Sequence, residues 1–265
     1  MKRLIINADD YGRSPDISRG IREANLRGIV TSTTCMMNIP TTAADIAIAR
    51  EETPGLGLGV HLVLTMGRPL VAQAGSSITD GQGNFFKHRS LLERASNIRI
   101  DEVREEWRAQ VESFVQAADR KPTHLDSHHH SSFFSPELFR QMLELAKDYQ
   151  CAIRFPFTGE ISPEVAATYP HVPALLQEFD VRHPDRFIVD FYDDAATYEE
   201  LLKVIENLQD GTTEVMCHPG YVDEAFAAES VYNRQREKEL NILTDPTIKD
   251  AIQANGIELI SFADL

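Results

Sequence analysis

Cysteine is scarce, with three in 265 residues. Cys35, Cys151 and Cys217 are odd in number and far apart, which argues against a disulfide framework and for a reducing compartment. Basic residues are outnumbered as well: 26 Lys and Arg face 41 Asp and Glu, for a net charge of -15. No basic patch is evident, which argues against a nucleic-acid partner and against a polyanionic substrate. Long apolar runs are also missing. Lys2-Arg3-Leu4-Ile5-Ile6 starts like a signal peptide but is cut short by Asn7-Ala8-Asp9-Asp10, and nothing approaches a membrane span. These deficits predict a soluble, cytoplasmic protein with no membrane partner. A homodimer accords with base rates for soluble proteins and rests on no particular stretch.

What is present is ordinary for a globular chain, 42% apolar and 25% charged, with length enough for a substantial core. Apolar runs rich in β-branched residues alternate with helical stripes from end to end. Strands are expected at Lys2 to Ala8, Ile29 to Met37, Leu56 to Thr65, around His124, and at Cys151 to Phe155, Phe187 to Tyr192, Glu214 to Cys217 and Ile257 to Ser261. Helices are expected after the Ser14-Pro15, Ser135-Pro136, Ser162-Pro163 and Asp245-Pro246 starts. Others are expected over Thr41 to Arg50, Asp101 to Ala118, Thr197 to Leu208 and Glu229 to Leu243. The charges of the Asp101 helix, Glu102 and Glu106 among them, read as a solvated face opposite a stripe of Val103, Trp107, Val111 and Phe114. Met66 to His88 is a long loop of the kind that serves as a lid or binding loop. Alternation of this type implies an α/β fold with a mostly parallel sheet; the reactive residues at several strand ends favour an irregular (β/α) barrel of about seven to eight strands over an open sheet. No linker or composition shift divides the chain, so residues 1–265 are expected to form one domain.

The densest chemistry is Thr123-His124-Leu125-Asp126-Ser127-His128-His129-His130, which holds four of the nine histidines. In an extended segment His124, Asp126, His128 and His130 share one face. Imidazole with carboxylate is a donor set for a first-row divalent ion. Solvated or hydrogen-bonded histidines at a strand end are the plainer alternative. Asp9-Asp10, His61, Asp126 with His128, Arg154 and His218 fall at the C-terminal ends of different expected strands, where barrel enzymes place their chemistry.

A catalytic divalent ion takes about three protein ligands and leaves a position open. Asp10, His61 and His128 supply one carboxylate and two imidazoles from three strands. Asp9, left unligated beside them, is a natural general base; the plainer alternative is a capping turn, weakened by the Ser14-Pro15 cap. His218 could protonate a leaving group, add a fourth ligand or be structural. Arg154 could anchor substrate, tune a neighbouring carboxylate or form a plain salt bridge. Phe85 or Phe86 could stack on a sugar or anchor their loop. A metal-dependent phosphoesterase and a non-catalytic sugar or metal sensor are the competing functions.

Asn7-Ala8-Asp9-Asp10-Tyr11-Gly12, Gly59-Val60-His61-Leu62, Pro122 to His130 and Met216-Cys217-His218-Pro219 resemble the YdjC-type carbohydrate deacetylases. Gly28 to Thr34 and Leu64 to Leu70 are similar to the chito-oligosaccharide deacetylase (ChbG) branch. The resemblance runs in order from the first strand to about residue 222. It implies an irregular (β/α) barrel and a divalent ion, Mg2+ by family and otherwise Zn2+ or another first-row ion, at Asp10, His61 and His128. It also implies removal of acetyl from an N-acetylglucosamine unit of a small chito-oligosaccharide such as diacetylchitobiose. On that reading Asp9 is the base and His218 the acid, while Arg154, Asp126, His130, Phe85 and Phe86 are candidates for substrate contact. Met66 to His88 and Thr158 to Arg186 match loosely, and there the choice of sugar is expected to lie.

Overall fold

A computed structural model of the chain describes residues 1–155 and 171–265. The strands are β1 Lys2–Tyr11, β2 Ser32–Cys35, β3 Gly57–Leu62, β4 His124–Ser127, β5 Ala152–Ile153, β6 Arg186–Ile188, β7 Gly211–Cys217 and β8 Glu258–Leu259. Their order is β5-β4-β3-β2-β1-β7-β6, with β8 against the first residues of β1, and every pairing is parallel. The irregular (β/α) barrel expected from the strand-end residues and the resemblance is the fold observed. The helix expected from Ser162 lies outside the described residues.

Leu4, Ile5 and Ile6 of β1 are fully buried, as a parallel strand covered on both faces requires. The sheet curls strongly enough for Arg154, just beyond β5, to reach Glu214 of β7 at 2.8 Å. His124 of β4 likewise reaches Asn7 of β1, Nε2 to Oδ1, at 3.0 Å. Gly59 on β3 makes room for that histidine, since a Cβ there would lie 2.6 Å from its ring. Below it Phe262 stacks on His124 with centroids 3.7 Å apart, and Ile5, Ala152 and Ile260 join Phe262 in an apolar plug. The barrel is thus sealed at one end and polar at the other.

Helix starts follow the sequence closely where a cap is present: Ser14 accepts from Ile17 N–H and Ser135 from Leu138 N–H. The solvated face expected for Glu102 and Glu106 is corrected. On the helix Ile100–Ala118, Glu106 is fully buried and accepts the N–H groups of Leu70, Val71 and Ala72. Glu102 accepts from Ser77 N–H and Oγ, and Gln110 bonds both N–H and C=O of Val63. A buried carboxylate needs donors, and loop backbone supplies them. The long loop after β3 is therefore pinned along its length. The single helix expected over Glu229 to Leu243 is two, Glu224–Glu229 and Arg234–Leu243, the second opened by Asn233. Among the described residues no helix is long and apolar enough to cross a membrane.

Candidate active site

β1 changes register between Ala8 and Tyr11, and Asp10 has a left-handed φ of 70°. A bulge of this kind re-aims side chains. Here it lets two consecutive carboxylates, Asp9 and Asp10, border one cavity of about 720 Å³. His61, the penultimate residue of β3, lies on the same rim. After Ser127 the chain leaves β4 in a tight 3-10 segment, with His129 and His130 at φ near 55°. Strand alternation therefore stops at Ser127, and His128, His129 and His130 all line the cavity.

Asp10 Oδ1, His61 Nε2 and His128 Nδ1 form a triangle with edges of 3.5, 3.3 and 3.3 Å. Donors about 2.0–2.1 Å from a shared centre at tetrahedral angles stand about 3.3 Å apart. Asp10 Oδ1 is buried without a hydrogen-bond partner, an expensive state for a carboxylate unless a cation meets it. The three residues fit a divalent ion. Two of them are held from behind. His61 Nδ1 meets Asp126 Oδ1 at 2.6 Å and Thr34 Oγ1 at 3.2 Å, an arrangement that orients Nε2 toward the centre. Arg236 holds the other oxygen of Asp10 at 2.5 Å.

Burial works to raise the pKa of Asp10, yet Arg236 and His128 hold it well below the ordinary carboxylate range. Burial keeps His128 neutral, as a ligand must be. His61 goes the other way: burial would lower it, but Asp126 and the two neighbouring aspartates push it up to about 9. An incoming ion must therefore displace a proton there.

Beneath this triangle lies a second cluster. Arg154 makes a two-pronged contact with Asp9, at 2.6 and 2.8 Å, and also reaches Asp126 at 3.0 Å and Glu214 at 2.8 Å. Asn7 Nδ2 adds a third bond to Asp9 at 2.9 Å. Burial opposes the Asp9 charge, but Arg154 keeps its carboxyl strongly acidic. Three carboxyls around one guanidinium cannot all be charged at low cost, and burial pushes Glu214 up to about 8. Asp9, His61 and Asp126 also lie close enough together to ligate an ion, but Arg154 already occupies both carboxylates.

His218 follows β7 with its backbone N–H donated to Glu239 and its Nδ1 buried without a partner. Burial lowers its pKa to about 4, so the resting ring is neutral.

A family model described as YdjC-like protein matches residues 3–254. The chain belongs to the YdjC-like family. Within that family, a carbohydrate deacetylase from Clostridium beijerinckii is 37% identical over 267 residues, spanning 99% of this chain and 100% of the relative. A solved structure from Enterococcus faecalis, described as a putative cellobiose-phosphate cleavage protein, superposes with a TM-score of 0.89. It shares 34% identity and covers 99% of this chain and 98% of its own. A family 4 acetyl xylan esterase from Clostridium thermocellum, solved with a cobalt ion, shares the fold at a TM-score of 0.51 and 14% identity. That match covers 99% of this chain and 89% of the esterase. This YdjC-like protein is accordingly a hydrolase of the carbohydrate deacetylase type, and its acidic and imidazole cluster can hold a divalent ion.

Of the side chains considered for substrate contact, His130 borders the cavity of this YdjC-like protein. Arg154 and Asp126 do not: both are buried below it, facing carboxylates and His61 respectively. Phe85 is buried in the core and Phe86 packs against it under Arg94, which is the loop-anchoring alternative. His124 is spent on Asn7, Thr123 and Phe262. Sequence reasoning passed over Arg236, Glu239 and Tyr232. A signal was available for two of them. Arg236, Glu239, Leu240 and Leu243 are the buried residues of their helix, spaced as an inward stripe. Two charges on such a stripe need partners inside.

Proposed function

We propose that this YdjC-like protein removes the acetyl group from an N-acetylglucosamine unit of a small chito-oligosaccharide such as diacetylchitobiose, with a divalent ion at Asp10, His61 and His128. The observation that carries the reading is the unpartnered Asp10 Oδ1 at one corner of a triangle of metal-ligating atoms, on a cavity wall shared with Asp9 and His218. An ion bound there supplies Lewis acidity toward the acetyl carbonyl and the attacking water. Asp9, fixed by Arg154 and Asn7, takes the proton of that water. His218 is neutral at rest. Its proton affinity rises as negative charge develops on the former carbonyl oxygen beside it; it then takes up the proton that Asp9 drew from the water and passes it to the departing amine. Two imidazoles with one carboxylate suit zinc, iron or nickel better than magnesium, which prefers oxygen. We therefore place a first-row transition ion ahead of Mg2+.

The test is acetate release from diacetylchitobiose by metal-replete protein, with Asp10→Ala alongside and metal content measured in both. Acetate from the wild type, with neither acetate nor bound ion in the variant, is the expected result. A fully active Asp10→Ala protein overturns the ligand assignment. A wild type that binds metal but releases no acetate from the disaccharide overturns the choice of sugar.

A further inference from the structure

We infer that Tyr192 and Tyr232 form a prebuilt platform for a second pyranose ring, so that the enzyme favours an oligosaccharide over a single N-acetylated sugar; the inference rests on the deacetylase reading of the adjoining site. The two rings stack with centroids 4.5 Å apart and planes 2° from parallel. They come from segments far apart in the chain, one after β6 and one before the helix Arg234–Leu243. Both border the cavity that holds Asp9 and His218. The His218 ring meets both edge-on, at 5.4 Å from Tyr192 and 5.6 Å from Tyr232, so the platform lies immediately beside the candidate acid.

The pair is fastened from behind. The Tyr232 hydroxyl donates to Glu239, which is fully buried, and accepts the N–H of Asp193 at 3.1 Å. Gln235 Nε2 donates to Asp193 Oδ1 at 3.1 Å. Asp193 itself takes a left-handed φ of 53°, a turn that presents the preceding tyrosine to the cavity. Glu239 also accepts the backbone N–H of His218. One buried carboxyl thus ties the aromatic pair and the candidate acid to the same support.

Despite these ties, Tyr192 remains 42% exposed. The stack on Tyr232 covers one face of its ring, and the residue borders the cavity. Val231, 97% exposed on the same rim, extends the apolar edge. Holding aromatic surface in water is unfavourable. It is explained if a ligand covers it, and the C–H face of a pyranose is flat, apolar and of matching width. Because the platform is already ordered, binding there loses little side-chain entropy. The cavity volume of about 720 Å³ suits a ligand larger than one hexose. Tyr192 is thereby assigned as a specificity-determining residue.

The experiment compares wild type, Tyr192→Ala and Tyr192→Phe with N-acetylglucosamine and diacetylchitobiose, reading KM and kcat from acetate release and disaccharide affinity by calorimetry. Tyr192→Ala is expected to raise the disaccharide KM and Kd by about two- to twelve-fold, the range of one aromatic stack, with kcat little changed. The preference for disaccharide over monosaccharide should shrink by the same factor, and Tyr192→Phe should restore it. Equal affinity in wild type and Tyr192→Ala overturns the platform whether or not acetate appears. Equal losses on both sugars overturn it too. Weaker disaccharide binding by Tyr192→Ala in a protein that releases no acetate keeps the platform and overturns the reaction instead.

Discussion

Two layers of charged side chains share one end of the barrel, and they are finished differently. In the lower layer, Asp9, Asp126 and Glu214 converge on Arg154, and both oxygens of Asp9 and of Asp126 have partners. In the upper layer, Asp10 Oδ1, His218 Nδ1 and one terminal nitrogen of Arg236 are buried without any. A buried polar group left unpaired costs free energy, so a satisfied network reads as scaffold and an unsatisfied one as a place awaiting a ligand. Glu214 Oε2 is the exception in the lower layer, and a carboxyl kept neutral by burial bears that loss more cheaply than an ionised one. The contrast teaches that proximity alone did not distinguish the layers. Asp9, His61 and Asp126 also lie within ligating distance of one another, as do Asp10, His61 and His128, but only the second set holds a carboxylate oxygen with no partner.

The largest effect should come from Asp9→Asn, which neutralises the one lower-layer group that also borders the cavity. Turnover is expected to fall by about 10²–10⁴-fold, the usual worth of a general base, while bound metal stays near the wild-type amount. Loss of the ion in that variant would move Asp9 into the upper layer as a ligand. Arg236→Gln acts next. With Oδ2 of Asp10 released, metal affinity titrated into the apo protein should drop by about 10–100-fold, as when other outer partners of ligands are removed. A rise in affinity would instead show that the Arg236 charge opposes the ion more than its hydrogen bond helps.

The smallest expected effect concerns pH. Glu214 titrates near 8 in the fold, well above about 4.3 in an unfolded chain. Between those values the folded state keeps a proton that the unfolded state has released. Stability from this group is therefore full at low pH and is lost as pH rises toward about 8. Glu214→Gln cannot titrate, so the melting temperature of its metal-free form should decline less between pH 5 and 8 than that of the wild type. Parallel curves would mean that Glu214 is ionised throughout and that the lower layer tolerates all three charges.

Much of the site was legible because it sits where a (β/α) barrel must put it. Asp9, Asp10, His61, His128 and His218 were all expected at strand ends, and all border the cavity. What escaped was charged and polar side chains on inward stripes. Glu106 and Gln110 stand three and seven residues after Val103, on the buried side of their helix, and serve the loop backbone. Arg236 and Glu239 repeat the pattern next to the candidate metal site. Charged residues at such positions read as solvent-facing until their partners are known, and those partners lie far away in sequence: Arg236 and Asp10 are 226 positions apart.

The sequence by itself determined the alternation of strand and helix, the strand ends that carry chemistry, and the residue types able to hold a divalent ion, because periodicity and donor chemistry are local properties. Only the tertiary structure decided which neighbours those residues meet. The bulge at Asp10 turned adjacent carboxylates into separate instruments, the left-handed turn at His129 and His130 ended the strand pattern early, and the curl of the sheet brought Arg154 onto Asp9. Each outcome depends on long-range packing and on the need to pair every buried charge, and neither is written in a run of neighbouring residues.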